Sequence, residues 1–167
     1  MKKKFINNGM SLLEVLVVIT IFAILGILVT QSIVLTLIGS QKSESMVKSR
    51  ENLDYSLNII ERQIRNANSI TVCPNLDPAV IDYLDQNGKP SSFSCVNTGN
   101  DESYIASGSS RLTNDAIKIV SCSLVCTPGT ETNPSFVSVD ITVKEASAAG
   151  IRSADVSATT QIYLRNY

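Results

Sequence analysis

The 167-residue sequence contains no histidine, and only 17% of its residues are charged. Without histidine, the chain lacks the most frequent general base of enzymes and the most frequent metal ligand. It also lacks a glycine-rich phosphate-binding motif and any cluster of metal-ligating residues in the sequence. These absences predict a protein that is not an enzyme and that needs no cofactor or metal.

Two acidic pairs are the remaining candidates for a cation site. Asp82 with Asp85, and Asp101 with Glu102, lie in segments that are expected to be loops. Solvation is the expected role of both pairs. Calcium binding stays an alternative, because Ca²⁺ prefers carboxylate oxygen ligands.

Positive charge is scarce outside the first four residues. The chain has 14 Lys and Arg against 15 Asp and Glu, and three of the lysines are residues 2–4. The rest of the chain is therefore acidic, whereas a nucleic-acid-binding domain normally presents a basic surface. Nucleic acid is not a predicted partner, although a local basic patch stays open.

A long uncharged segment dominates the N-terminal quarter of the chain. No charged residue occurs between Val15 and Gln41, and most of that stretch is Val, Ile and Leu. As a helix, residues 15–38 would extend roughly 36 Å, enough to cross a hydrocarbon layer of ~30 Å. The segment predicts a single transmembrane helix with membrane lipid around it.

The order of the N-terminal segments differs from that of a secretory signal peptide. In a signal peptide the cleavage site follows the apolar run, whereas here Gly9 precedes it. A cut at Gly9 would remove Lys2, Lys3 and Lys4 and retain the apolar segment. The alternative is an uncleaved anchor that the lysines orient. Glu14 favours cleavage, since an unpaired carboxylate at the membrane margin is costly and a new α-amine on a neighbouring chain could pair with it.

The segment Gly9–Leu16 resembles the prepilin processing motif of type IV pilins and type II secretion pseudopilins. Glycine, the cleavage point, four residues and Glu14 follow in the order of that motif. The resemblance implies that a prepilin peptidase cuts between Gly9 and Met10 and that Met10 is then methylated. It also implies that Glu14 pairs with the terminal amine of an adjacent subunit. Met10 and Ser11 stand where the family favours Phe and Thr.

The resemblance also implies partners and a location. The partners are other major and minor pilins or pseudopilins and an inner-membrane assembly platform. The protein would span the inner membrane once, with its C-terminal domain outside the cytoplasm, and then enter a filament at the cell surface or in the periplasm. Residues 52–70 and 159–166 resemble minor subunits of the pilus W and secretion J types. A membrane-anchored binding module for adhesion or DNA uptake is the alternative function.

The apolar segment is predicted to continue into an amphipathic helix. There is no proline before Pro74, and the helix is expected from about Ser11 to Asn68. One stripe of apolar residues recurs at spacings of three and four, as on a buried helix face. A coiled coil is the alternative to packing on a domain. The stripe consists of Leu53, Leu57, Ile60, Ile64 and Ala67.

The C-terminal part is predicted to be rich in β-strands. Strands are expected at Phe136–Lys144, which alternates apolar and polar residues, at 117–120 and at 156–167. Weaker candidates are 69–72 and 80–84, and residues 97–110 are expected to form a loop. The fold class is therefore α+β, a long helix packed on an antiparallel sheet. The predicted divisions are a leader (1–9), a membrane half-helix (10–40), an amphipathic half-helix (41–68) and a β-rich domain (69–167).

All four cysteines follow the apolar segment, which predicts disulfides in an oxidising compartment. Zinc and free thiols stay as alternatives. Cys122 and Cys126 are close in the sequence, so they are expected to form one bridge. Cys73 and Cys95 then remain to form the other. Residues four apart in a strand would be about 13 Å apart, beyond the roughly 4.4 to 6.8 Å that a bridge needs. The first bridge therefore requires a turn at residues 123–125.

Overall fold

The computed structural model describes residues 11–131, 133–147, 150 and 153–164. It contains one long helix, α1, at Leu12–Arg65, followed by antiparallel strands. The predicted α+β fold class is confirmed, and the helix ends three residues before the expected Asn68. The chain divides into two compact units, the first ending at Ser40 and the second beginning at Gln41.

The first unit consists of the apolar part of α1. Its large side chains are exposed, from Leu12 at 84% to Leu37 at 58%, and its most apolar window has a mean hydropathy of 3.0. Its threonine hydroxyls donate to carbonyls one turn earlier, for example Thr30 Oγ1 to Gly26 O at 2.8 Å, so they need no water. This part of the helix is long and apolar enough to cross a membrane.

The second unit combines the rest of α1 with two antiparallel sheets. Sheet A has the strand order β1-β2-β3-β4-β5, and sheet B has the order β6-β7-β8. The strands of sheet A are β1 (Ser69–Ile70), β2 (Val80–Leu84), β3 (Pro90–Val96), β4 (Tyr104–Ser107) and β5 (Ser110–Arg111). The strands of sheet B are β6 (Ile117–Thr127), β7 (Phe136–Glu145) and β8 (Asp155–Tyr163).

Some strands match the expected positions and others do not. The predictions of β2 and β7 are confirmed to within one residue. Strand β7 alternates apolar and polar side chains, as a strand with one buried face does. Strand β3 was missed, since its serines conceal the alternation. Strand β4 lies in the segment that was expected to be a loop. Strand β6 continues to Thr127 instead of ending at Val120. Residues 165–167, the end of the predicted last strand, lie outside the described residues.

The predicted stripe of α1 packs into the core of the second unit. Leu53, Ile60 and Ile64 are at most 1% exposed, Ala67 is buried, and Leu57 is half-buried. The same core includes side chains from both sheets, so α1 and the two sheets share one apolar interior. The core residues from the sheets include Ile81, Phe93, Ile105, Ile119, Val137, Val139 and Ile141.

A row of serines extends this buried face toward the N-terminus of the second unit. Ser45, Ser49 and Ser56 are at most 1% exposed, and the apolar-residue pattern did not predict their burial. The Ser56 hydroxyl donates to Asn52 O at 2.9 Å. The hydroxyls of Ser45 and Ser49 have no hydrogen-bond partner among the described residues. The small side chains of these two serines therefore fit a closely packed surface, but each leaves a hydroxyl group desolvated without a hydrogen bond.

Replacing Ser45 or Ser49 by alanine is expected to stabilise the second unit. Each change removes an unpaired buried hydroxyl and should raise the free energy of unfolding by about 1 kcal/mol. Ser43→Ala is the matched control, because Ser43 is exposed on the same helix and reports the helix propensity alone. Denaturant unfolding of the full chain in detergent measures all three variants. Gains no larger than that of Ser43→Ala would show that the buried hydroxyls are satisfied.

Candidate functional site

Glu14 lies in the first turn of α1, at the start of the exposed apolar segment. Its backbone N–H donates to Ser11 O at 3.0 Å, and its side chain is exposed. A carboxylate in a first helical turn interacts favourably with the helix dipole. Among the described residues, no lysine or arginine forms a salt bridge with it. Gly9 and Met10, the predicted cleavage and methylation residues, lie outside the described residues.

The position of Glu14 suits the anionic member of an intermolecular ion pair. Val15 and Leu16 follow Glu14 directly and are 41% and 57% exposed, so the carboxylate borders a surface that favours lipid or other helices. An unpaired carboxylate in such surroundings is costly, and a cation from another molecule would offset that cost. From Leu12 to Ser40 the helix carries no lysine, arginine, histidine or cysteine beside Glu14.

The four cysteines form two disulfides, as predicted, but the predicted pairing is wrong. The structure joins Cys73 to Cys126 and Cys95 to Cys122, with Cα–Cα distances of 5.3 and 6.1 Å. Residues 123–125, which would have to turn, are part of the continuous strand β6. The extended backbone keeps Cys122 and Cys126 too far apart to pair with each other.

Both disulfides connect β6 to the side of the molecule that carries sheet A. Cys95 belongs to β3, and Cys73 lies in the loop between β1 and β2. The two bridges therefore fasten sheet A and its loop to sheet B. Disulfides of this kind stabilise small domains in oxidising compartments.

Asn75 fixes the same loop with hydrogen bonds that the sequence did not reveal. Its Nδ2 donates to Val80 O at 2.9 Å and to Leu124 O at 2.7 Å. Its Oδ1 accepts the backbone N–H of Cys126 at 2.9 Å. Asparagine is common in loops because its amide replaces backbone partners in this way. The only sequence signal was its position next to Cys73-Pro74.

A polar cleft of about 420 Å³ lies between the end of α1 and sheet A. The Tyr83 hydroxyl donates to Gln63 Oε1 at 2.6 Å, and burial raises the pKa of Tyr83. Arg62, Asp85 and Ser107 are among the other residues that line the cleft. The bond between Tyr83 and Gln63 connects the end of α1 to sheet A.

Two of the four acidic residues considered for calcium, Asp85 and Asp101, have local hydrogen-bonding roles, and Asp82 lies in strand β2 instead of the expected loop. Asp85 accepts the backbone N–H groups of Asn87 and Lys89 at 2.8 and 2.9 Å, and the bond from Lys89 is the main cause of its lowered pKa. Asp101 accepts from Lys118 Nζ at 2.7 Å, which lowers the pKa of Asp101. Within the described part of the chain, no group of three or more acidic or cysteine side chains is placed to hold a metal ion.

Comparison with known proteins identifies the N-terminal segment. Residues 5–30 match the family described as the prokaryotic N-terminal methylation motif. No curated protein and no solved structure matches the chain. The matched residues include Gly9, Met10, Glu14 and the first part of α1. Together with the exposed apolar helix and the disulfide-bonded α+β unit, this motif supports a structural subunit of the type IV pilin or pseudopilin class.

Proposed function

We propose that the chain is a minor subunit of a type IV pilus-like or type II secretion pseudopilus filament, held in the inner membrane before assembly. The observation that carries the proposal is the first unit. Its large apolar side chains are exposed from Leu12 to Leu37, and Glu14 is the only charged residue from Ser11 to Ser40. A surface of this kind needs lipid at one stage and can exchange it for other helices at another.

Assembly then follows from the chemistry of the N-terminus. A prepilin peptidase cuts between Gly9 and Met10, which leaves a new α-amine that is methylated on Met10. In the isolated chain, Glu14 has no cationic partner among the described residues. In the filament, the α-amine of one subunit provides that cation for Glu14 of its neighbour. The pair forms when an assembly platform moves the subunit from the membrane into the filament, where neighbouring helices exclude water.

The second unit is the part that differs between subunits. Its two disulfides support a location outside the cytoplasm, since such bridges persist in oxidising compartments. The resemblance of residues 52–70 and 159–166 to W-type and J-type minor subunits supports a minor, tip-proximal position. In this proposal the first unit assembles the filament, and the second unit gives this subunit its individual surface.

Processing is the direct test of the proposed function. We expect the mature protein to begin at Met10 with a methylated amine, and intact-mass analysis of the protein from its native host measures this. Cells without the prepilin peptidase should retain Met1, and Gly9→Leu should do the same in wild-type cells, because the bulky side chain replaces the motif glycine. Retention of Met1 in the wild-type protein and wild-type cells would overturn the proposal.

A further inference from the structure

The outer edge of β8 is long and regular. The strand has nine residues, ends the order β6-β7-β8, and pairs with β7 without a register shift from Asp155 to Tyr163. Within the described ranges, no strand lies on its other side. This edge exposes a continuous row of backbone donors and acceptors.

The direction of each backbone group follows from one hydrogen bond beyond the strand. Leu164 N–H donates to Ser135 O at 3.1 Å, one position past the Phe136–Tyr163 pair. Groups alternate in direction along an antiparallel strand, so the even-numbered residues of β8 bond to β7 and the odd-numbered ones face outward. In the described part of the chain, the outward groups have no backbone partner. The outward-facing residues are Asp155, Ser157, Thr159, Gln161 and Tyr163.

The other edges of the two sheets are protected. The edge strands of sheet A, β1 and β5, have two residues each. Strand β6 has a register shift between Ile119 and Ser121. Its outer edge is also covered, because Leu124 N–H donates to Pro78 O at 2.6 Å and Gly99 N–H donates to Ile119 O at 2.9 Å. Short strands, bulges and covering loops are the usual means of preventing edge pairing.

Strand β8 has none of these protections. It contains no proline, no lysine and no bulge, and its single charged residue, Asp155, is at its start. Threonine, tyrosine, valine and isoleucine, which favour strands, make up most of the rest. The side chains of Val156 and Ala158, on the face toward the core, remain half-exposed, so a further strand could cover them.

We infer that β8 is an intermolecular pairing edge, and that its occupant is β8 of a second copy in antiparallel register centred on Thr159. This register gives every outward-facing residue an opposite partner. Thr159 lies opposite Thr159 of the second copy. Likewise, Ser157 lies opposite Gln161 and Asp155 lies opposite Tyr163 of that copy. The register keeps the two Asp155 carboxylates apart, because like charges directly opposite each other would be destabilising. Two copies of sheet B then form one continuous sheet.

The symmetry of this contact indicates where it can occur. The two copies are related by a two-fold axis perpendicular to the joined sheet. Rotation about this axis reverses every direction within the plane of the sheet. The α1 segments that pack on the two copies of sheet B therefore run in opposite directions. Subunits of one filament share a direction, so the contact joins copies in different filaments. This last step rests on the proposed function, whereas the strand pairing itself does not.

Cysteine crosslinking of the full chain in detergent micelles tests the register. Thr159→Cys should form an intermolecular disulfide, because hydrogen-bonded residues in opposite strands are about 5.5 Å apart between Cα atoms, within disulfide reach. Ser157→Cys is the matched control, because Ser157 lies opposite Gln161 of the second copy, so the two introduced cysteines would not face each other. Non-reducing electrophoresis and peptide mapping measure the dimer. Equal crosslinking of the two variants, or none by Thr159→Cys, would overturn the inference.

Two further variants separate strand pairing from folding. Thr159→Pro removes an outward N–H without removing a bond to β7, and it should weaken dimerisation at least tenfold. Thr159→Val keeps that N–H but loses the hydroxyl bond to Asp140 Oδ1 at 2.6 Å, so it should dimerise like the wild type. Sedimentation measures the dimer, and circular dichroism checks the fold. A wild-type chain that stays monomeric at about 0.1 mM, where a micromolar Kd would give mostly dimer, contradicts the inference.

Discussion

Replacing Glu14 by valine is expected to reduce incorporation into the filament at least tenfold, with processing and membrane insertion unchanged. The change makes the first turn of α1 more apolar, so the membrane should still accept the segment. It removes the carboxylate that we propose as the partner of a neighbouring terminal amine. Loss of one member of a desolvated ion pair costs about 3 to 5 kcal/mol, which is ample for a tenfold effect.

The measurement compares variants beside wild-type partner subunits. Co-purification with sheared filaments reports incorporation, and pull-down of other minor subunits reports the earlier association. Glu14→Gln isolates the charge, because its size is nearly unchanged, and it should fail as the valine variant does. Glu14→Asp keeps the charge on a shorter side chain and should retain partial assembly. Undiminished incorporation of the valine variant in both assays would show that Glu14 makes no assembly contact.

Removal of the Cys73–Cys126 disulfide is expected to destabilise the second unit by about 4 kcal/mol. The bridge spans a sequence separation of 53 residues, and closing a loop of that length restricts the unfolded chain strongly. A loss of this size is a large fraction of the roughly 5 to 15 kcal/mol that holds a typical domain folded. The double variant Cys73→Ala/Cys126→Ala avoids an unpaired thiol, and denaturant unfolding in detergent measures its stability.

The second disulfide provides the matched comparison. Cys95 and Cys122 are separated by 27 residues, so Cys95→Ala/Cys122→Ala should cost slightly less, about 3.5 kcal/mol. One loop lies within the other, so the two losses are not expected to add. Non-reducing peptide mapping of the wild type tests the connectivity directly. A Cys122–Cys126 peptide, or unchanged stability of the Cys73→Ala/Cys126→Ala variant, would contradict the arrangement.

The sequence by itself determined the features that depend on short stretches of chain. The uncharged segment after Glu14 predicted the exposed apolar helix, because crossing a membrane depends only on length and composition. The spacing of Leu53, Ile60 and Ile64 predicted the buried face of α1, and alternation predicted β7. The glycine and glutamate around Met10 predicted the methylation motif, since that motif is contiguous.

Only the tertiary structure decided the features that depend on distant neighbours. Cys122 pairs with Cys95 because β6 is a long continuous strand and Cys95 lies next to it. The spacing of the cysteines in the sequence specifies neither the length of β6 nor its neighbours. Ser45 is buried because the helix packs closely at that point, although serine alone favours the surface. The open edge of β8 likewise depends on sheet order. Sheet order is set by contacts far apart in the chain, which local patterns cannot specify.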